Sequence, residues 1–519
     1  MEAERLRLAE LTAALSLATD LGMGQPLEHG LRTAVIAVRL AERLGLDETE
    51  RAAVYYVSLL RFAGCTAESH LDAQMFGDEI AARTELTRMM FASPGALLVT
   101  ALRNVRPDEP VLRRGAAAAK ALPKLRAAWN SSAVTHCEVT EIYARRLRLG
   151  PGVVAGVARL YERWDGNGFP GRAQGDEVPL AVRVMQVAQD ADRQRGLGGV
   201  EQAVAVVRER AGHAFDPAVA AAFAGDADEL FVGLDAPSVW DEALAVEPGS
   251  RPLFDSRVRI DDGLRILGEA ADLKCPDTLG HSAAVAQLAS AAGTEAGLAP
   301  DEVVLLRRAG HVHDVGRVAV SAGVWNKREA LTPDELEQVR LHPYFTERVL
   351  ARPQPLRELG RLGALHHERL DGSGYPRGAP ARELPPTARI LAAADAYRRF
   401  TETRPHRPAW SPAAAAERLE DEARSGRLDP DAVAAVLAGT GHETGPVQAP
   451  RPAGLSDREV EVLMLLARGL VTKQVAHELG ISVKTADNHI QHIYGKVGVS
   501  TRAGATMFAM EHGLVRSAA

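Results

Sequence analysis

The sequence predicts an all-α protein, and three observations carry that reading. Apolar residues recur at helical spacing over residues 31–44, 283–292 and 301–312. No alternating strand pattern with hairpin turns stands out anywhere. A serine-led capping box at 456–459 opens a short series of helix signals near the end of the chain. At 519 residues the chain exceeds one ordinary core, so three or more domains are expected.

Composition narrows the function classes. Hydrophobic residues make up 46% and charged residues 25%, the balance of a water-soluble globular protein. Aromatics are only 5%, so alanine, leucine and valine must fill the cores. No apolar stretch approaches the ~18 uninterrupted residues of a membrane span. The charged start, MEAERLRLAE, does not read as a signal peptide. Cys65, Cys137 and Cys275 lie far apart, which argues against a disulfide scaffold or a cysteine zinc site. The expected location is the cytoplasm, with no membrane partner. A net charge of −7 argues against a chain that coats nucleic acid along its length, but leaves room for one small DNA-binding module.

The chain repeats itself. Residues 161–170 (YERWDGNGFP) and 367–376 (HERLDGSGYP) share Glu, Arg, Asp, both Gly and Pro at an offset of 206. That offset also pairs His136 with His342 and Arg183 with Arg389. Upstream, an offset of 252 pairs His29 with His281, Gly45 with Gly297 and Gly64 with Gly316. The first copy therefore carries 46 more residues, expected within 68–125. Scattered proline, glycine and acid over 234–254 suggest a linker between copies. The Pro/Gly-rich run 439–454 reads as a tether to a third unit.

The second copy gathers chemistry. In order it carries His281, His313-Asp314, His342, His366-His367 and Asp395. Neutral imidazole and carboxylate suit iron, manganese and zinc. A tetrahedral site uses about four ligands. Seven candidates therefore suggest two ions sharing a carboxylate. Two ions ~3.5–4 Å apart clamp the attacking and leaving oxygens of phosphoryl transfer. A single buried histidine is ordinarily a hydrogen-bonded core residue, but two contiguous pairs plus three singles are better explained as ligands. His311, two residues before His313, is assigned to structure or surface.

This order, with HHERLDGSGYP at 366–376, DLKCPDTLGHS at 272–282 and HDVGR at 313–317, resembles the HD-GYP family over about 265–440. The resemblance implies an all-helical fold, two or three divalent transition ions (iron or manganese), and hydrolysis of cyclic di-GMP. It implies that His281, His313, Asp314 and Asp395 hold one ion, and that Asp314, His342, His366 and His367 complete the second and any third. Asp277 stands where some members place a glutamate for a third ion. His313, Asp314 and Arg317 are the catalytic candidates. Arg317 replaces the family's usual lysine and keeps a charge able to hold phosphate with two donors. Leu370 replaces the usual tryptophan. Gly374, Tyr375 and Pro376 end a tight loop that is either a rigid turn or a substrate-positioning element.

In the first copy the register sets Arg61-Phe62 against His313-Asp314, Leu160-Tyr161 against His366-His367, and Gln189, beside Asp190, against Asp395. Only His29 and His136 remain. Two imidazoles cannot assemble a binuclear site, so this copy is expected to keep the fold without the chemistry, as a degenerate HD-GYP domain. His29, His136 and Asp190 are assigned to packing or hydrogen bonding, and the persisting 165–170 loop to structure.

The third unit reads as four helices. Ser456 to Glu459 caps the first, which Gly469 ends. Thr472 caps a second through Leu479, Ser482 a third over 483–497, and a last runs 502–512. Residues 455–505 resemble the LuxR-type helix-turn-helix, which implies that the third helix enters the major groove of double-stranded DNA. Lys484, Thr485, Asn488, His489 and Lys496 are the DNA-facing candidates, and Asp487 departs from the uncharged or basic residue common there. The module's net charge is only +1, so a dimer reading paired half-sites, with the final helix as its face, is expected.

The expected organisation is a degenerate HD-GYP-like domain over 1–235, an HD-GYP metal-dependent phosphohydrolase domain over 255–440, a linker over 441–454 and a LuxR-type domain over 455–519. The leading function is a metal-dependent cyclic di-GMP phosphodiesterase coupled to a transcriptional output. The alternatives are a catalytically silent metal- or nucleotide-sensing transcription factor, and a phosphohydrolase acting on another phosphoester.

Overall fold

Side-chain caps set where many of these helices begin. Asp47 accepts from the Glu50 amide while Glu50 reaches back to Asp47. Thr332 with Glu335, and Ser456 with Glu459, close the same reciprocal box. Asp216 and Asp429 each cap a helix whose first residue is proline, a position that has no need of the missing N–H. The duplicated arginines explain themselves here. Arg183 Nη1 donates to Asp216 Oδ2 at 2.6 Å, and Arg389 Nη1 to Asp429 Oδ2 at 2.8 Å, so each repeat locks a capping carboxylate with the same guanidinium.

The computed structural model describes residues 6–89, 95, 99–100, 103–105, 125–249, 253–254, 257–441 and 452–515. They divide into two units, Met1–Ile260 and Asp261–Ala519. The fold is all-α. Among the described residues the only sheet pairs Leu6–Arg7 with Leu253–Phe254, antiparallel. No described helix is long and apolar enough to cross a membrane.

The stretch 234–254 differs from its reading as a linker. Leu234, Val239, Trp240 and Leu244 are buried, Trp240–Ala245 is helical, and the second strand lies at 253–254. Its scattered prolines and acids mask anchors that belong to the first unit: Tyr55 donates to the Ala243 carbonyl, and Tyr56 to Glu247. Of the expected tether, 442–451 lie outside the described residues.

In the first unit, His29–Arg43 packs with Glu48–Leu59 and with the long helix Leu180–Arg210, which breaks at Gly198–Gly199. The extra residues of this copy supply the helices Ser69–Phe76 and Glu79–Met89. In the second unit, His281–Glu295 and Pro300–Val312 form the central pair, and Pro386–Thr401 packs alongside. A Cβ at Gly310 would stand 2.5 Å from the Ala286 Cα, so glycine is what lets those two helices approach. His311 is buried here, not exposed, and burial lowers it to about 3.

The repeated loop is held by backbone proximity. A Cβ on Gly374 would lie 2.4 Å from Glu368 Cα and Arg369 N; on Gly168 it would lie 2.4 Å from the Tyr161 carbonyl oxygen and 2.5 Å from Arg163 N. Buried Glu368 accepts from the Arg377 and Ala379 amides, and buried Glu162 from the Arg172 amide. A backbone amide just past the proline donates to this glutamate in both copies, with or without metal ligands nearby, so the loop is held by its own residues. Gly168→Ala is expected to destabilise the first unit by more than about 2 kcal/mol in chemical denaturation, because backbone atoms cannot give way as a flexible side chain would.

Candidate metal centre and nucleic-acid interface

Four helices aim the second unit's imidazoles inward, and a fifth supplies Asp395. His281 opens the helix His281–Glu295 after a left-handed Gly280. His313 and Asp314 follow the last turn of Pro300–Val312. His342 begins the helix His342–Leu350, and His366-His367 follow the helix Arg357–Gly363. Asp395 comes from the buried middle of Pro386–Thr401. All seven side chains are buried.

Three of the imidazoles are oriented by one device. His313 Nδ1 bonds the Gly310 carbonyl at 2.8 Å, His342 Nδ1 that of Val339 at 2.6 Å, and His366 Nδ1 that of Gly363 at 2.6 Å. Each bond reaches three residues back, fixes the proton on Nδ1 and leaves Nε2 as the acceptor. His281 uses a carboxylate instead: its Nδ1 lies 2.9–3.0 Å from both oxygens of Glu402.

The Nε2 atoms converge. His342 Nε2 and His366 Nε2 stand 3.2 and 3.4 Å from Asp314 Oδ1. His281 Nε2 lies 3.3 Å from Asp395 Oδ1 and 3.6 Å from Asp314 Oδ2, and His313 Nε2 lies 3.6 Å from Asp314 Oδ2. Donors about 2.1 Å from one ion, at tetrahedral to octahedral angles, stand about 3.0–3.4 Å apart. Three overlapping triplets offer one donor atom each within 4.8 Å: His281, His313 and Asp395; His313, Asp314 and His366; His342, His366 and His367. Asp314 faces both sides, Oδ2 toward His281 and His313 and Oδ1 toward His342 and His366.

A metal fits this donor set. His281 Nε2, His313 Nε2, Asp314 Oδ1 and Asp395 Oδ2 are buried without a hydrogen-bond partner, an arrangement costly to keep unless a cation completes it. The protonation states of His313 and Asp314 suit ligation as well, while His281 holds a proton that a metal would displace. Burial lowers His313 to about 4, only partly opposed by Asp314. Burial works to raise Asp314, but His313, Arg317, His342 and His366 outweigh it and hold the carboxyl well below the usual range. Burial alone would lower His281, yet Glu402 and Asp395 raise it to about 9.

A cavity of about 650 Å³ adjoins the cluster. Arg317 lies in its wall, its guanidinium carbon 3.8 Å over the Trp325 ring centroid and its Nη1 3.4 Å from Asp314 Oδ2. The Tyr375 ring packs 4.7 Å from His367, placed there by the Gly374 loop, while Pro376 follows a cis peptide bond. Asp277 lines the same cavity but belongs to none of the ligand-spaced triplets. Sequence reasoning missed Glu402, Trp325, Arg399 and Arg404. Arg399 lies 3.8 Å from Asp395 Oδ2, and Arg404 donates to Glu402 at 2.6 Å. Nothing at the sequence level ties Glu402 to a histidine 121 positions away.

In the first unit, Arg61 occupies the vacated centre. Its Nε donates to Gln189 Oε1 at 2.9 Å, and its guanidinium stacks 4.2 Å over Tyr161. Those are the counterparts of Asp395 and His367, so a fixed side-chain cation fills the former ligand cage. His136 bonds the Arg61 carbonyl through Nε2 and the Tyr161 hydroxyl through Nδ1, which leaves no nitrogen for a metal. His29 pairs with Asp192 at 2.7 Å and Asp190 with Arg210 at 2.5 Å.

The carboxy-terminal helices are Asp457–Ala467, Thr472–Glu478, Val483–Val497 and Arg502–Glu511. Ala486, Ile490 and Ile493 pin the third against Val462, Leu466, Val475 and Ala505. Lys484, Thr485 and Asn488 are exposed and His489 is half-buried. Lys496 is engaged elsewhere: its ammonium donates to Glu459 Oε2 at 2.6 Å and to the Gly454 carbonyl, tying the third helix to the first. Thr472 is the second helix's first residue, while Val471 holds the cap position.

Known proteins match the separate parts of this chain. The family model described as "HD domain" matches residues 123–219 and 265–432, and "Bacterial regulatory proteins, luxR family" matches 453–509. The 3'3'-cGAMP-specific phosphodiesterase 3 of Vibrio cholerae serotype O1 is 27% identical over 431 residues, 83% of this chain and 94% of that protein. The cyclic di-GMP phosphodiesterase response regulator RpfG of Xanthomonas campestris pv. campestris is 39% identical over 166 residues, 31% of this chain and 43% of its own. The crystal structure of a cyclic GMP-AMP-specific phosphodiesterase of V. cholerae, V-cGAP3, superposes with a TM-score of 0.58 at 24% identity, covering 84% of this chain and 98% of that one, and shares the fold. The chain thus belongs to the HD domain family, is homologous to the HD-GYP cyclic nucleotide phosphodiesterases, and carries a LuxR-family helix-turn-helix module at its carboxy-terminal end.

Glu402 makes a checkable demand on this centre. Glu402→Gln keeps the shape but removes the charge that orients His281, and is expected to weaken metal binding about 10–100-fold, measured by competition with a chelating dye.

Proposed function

We propose that the second unit hydrolyses a cyclic dinucleotide in a metal-dependent reaction, and that the same chain delivers an output at DNA. The observation that carries this reading is the convergence of His281, His313, His342 and His366 on Asp314, with His367 and Asp395 completing the cluster, beside a cavity large enough for a dinucleotide. His281, His313, Asp314 and Asp395 would hold one divalent ion, and Asp314, His342, His366 and His367 the second, with iron or manganese suited to the donor set. When bound, such ions polarise the phosphoryl group and lower the pKa of a water.

The chain's own residues supply the rest. Arg317, kept rigid by Trp325, presents two donors to a phosphate without having to be ordered during the reaction. Arg399 and Arg404 place further positive charge on the cavity wall, where the substrate's second phosphate needs compensation. Tyr375 offers an aromatic face beside His367 for positioning. The leading substrate is cyclic di-GMP, supported by relatives such as RpfG, 39% identical over 166 residues. A second reading, 3'3'-cGAMP, is favoured by the V. cholerae relative whose alignment spans most of this chain.

The test is turnover of both dinucleotides by manganese- or iron-loaded protein, beside a His313→Ala/Asp314→Ala variant. Linear dinucleotide should appear with the wild type, and the variant should fall by at least about 10³-fold. Equal turnover by both proteins would place the chemistry elsewhere. Tight nucleotide binding without turnover would leave a sensor.

For the DNA module, a homodimer reading paired half-sites through the third helix is the arrangement proposed. Lys484→Ala should weaken binding about equally on all sequences and reduce the salt slope by about 1, whereas Asn488→Ala should relax base preference at one position. Fluorescence anisotropy across a salt series distinguishes the two effects.

A further inference from the structure

The first unit has lost its ligands but kept a cavity. It measures about 140 Å³ and is lined by Met23, Cys65, Ala133, His136, Tyr161 and Phe169. The two register offsets set these against Cys275, Arg317, Val339, His342, His367 and Tyr375, every one of which lines the second unit's cavity. The two cavities are therefore the same place in two copies of one fold. What differs is the chemistry of the wall.

Each exchange points in one direction. The phosphate-directed Arg317 becomes Cys65. The imidazole of His367 becomes the phenol ring of Tyr161, and the phenol of Tyr375 becomes the phenyl ring of Phe169. Arg61 is not among the lining residues; it stacks over the Tyr161 ring and bonds Gln189. The remaining cation in the wall, Arg83, is consumed by Asp72 at 2.6 Å and by the Cys65 carbonyl at 2.9 Å. Glu68 adds an acid, held by Thr135. A phosphate would find no compensating charge and an acid close by.

The extra residues of this copy build part of the wall. Phe76 and Leu86 come from the two helices that this copy inserts, and Trp129 stands edge-on to Phe169 with ring centroids 5.8 Å apart. Aromatic faces and edges surround the space on several sides. A cavity of about 150 Å³ lined by apolar groups holds benzene, so this one has room for one small ring system.

We propose that the first unit is a binding site for a small, uncharged, flat aromatic molecule, seated among Trp129, Tyr161 and Phe169 where the second unit receives its phosphoester. The insertion has turned a vestigial catalytic cavity into a mostly apolar receptor whose charged wall residues are paired with one another or held by hydrogen bonds. The site needs no metal and takes no part in hydrolysis.

Indole titrated by calorimetry into the full-length His313→Ala/Asp314→Ala variant tests this with the second cavity's metal centre disabled. Saturable binding at one site per chain is expected, uncompeted by inorganic phosphate or cyclic di-GMP. Leu86→Trp and Ala133→Phe fill the space from two different helices, and each should weaken indole binding by at least about tenfold. Crystals of the unsubstituted protein soaked in bromobenzene should show a bromine peak between Trp129, Tyr161 and Phe169. No saturable binding, displacement by phosphate, indifference to both filling substitutions, or a bromine peak confined to other places would each overturn the proposal.

Discussion

Charge burial governs this chain. Removing an ionised carboxylate from water is expensive, and the cost is met only by a partner of opposite sign with its hydrogen bonds in place. In the second unit Asp314 and Asp395 sit at 2% and 1% exposure among imidazoles that are mostly neutral. Such a cluster has an excess of acceptors, which a bound cation would balance. The first unit solved the same problem by substitution. Gln189 stands in place of Asp395 and Phe62 in place of Asp314, and Arg61 brings a permanent cation on a covalent tether.

That exchange explains why one fold supports two fates. The helices that frame both centres are fixed by caps, by close-approach glycines and by the Arg183/Asp216 and Arg389/Asp429 locks, none of which involves the metal ligands. Gly64 and Gly316 show the same independence. A Cβ at either would meet the carbonyl oxygen of the histidine at the start or middle of the facing helix, His136 in one and His342 in the other. Ligands could be lost from one copy without loss of the scaffold, and the space beside them remained.

The carboxy-terminal module follows a similar division. Lys496 and Glu459 brace two helices against each other, and burial, which works to raise Glu459, is outweighed by that ammonium and the Ser456 amide, bringing it to about 2. The exposed Lys484, Thr485 and Asn488 are left for a partner. A lysine that looks DNA-facing by its position on the helix is thus a structural brace by its contacts.

Much of this was legible in the residues themselves. Periodicity, caps and the repeated loop defined an all-α chain, and two offsets aligned the copies closely enough to match Arg61 with His313 and Gln189 with Asp395. The set of candidate donors was readable because few other roles use paired histidines and aspartates in that order, and the structure brings those side chains together. Partnerships across long separations were not: Glu402 with His281, Arg317 on Trp325, Lys496 with Glu459, and the buried anchors within 234–254. Local sequence fixes which conformations are cheap and which donor atoms exist. Only the packed helices decide which of those atoms come within 3–4 Å of one another, because side-chain direction depends on how whole elements cross, and no residue carries that information alone.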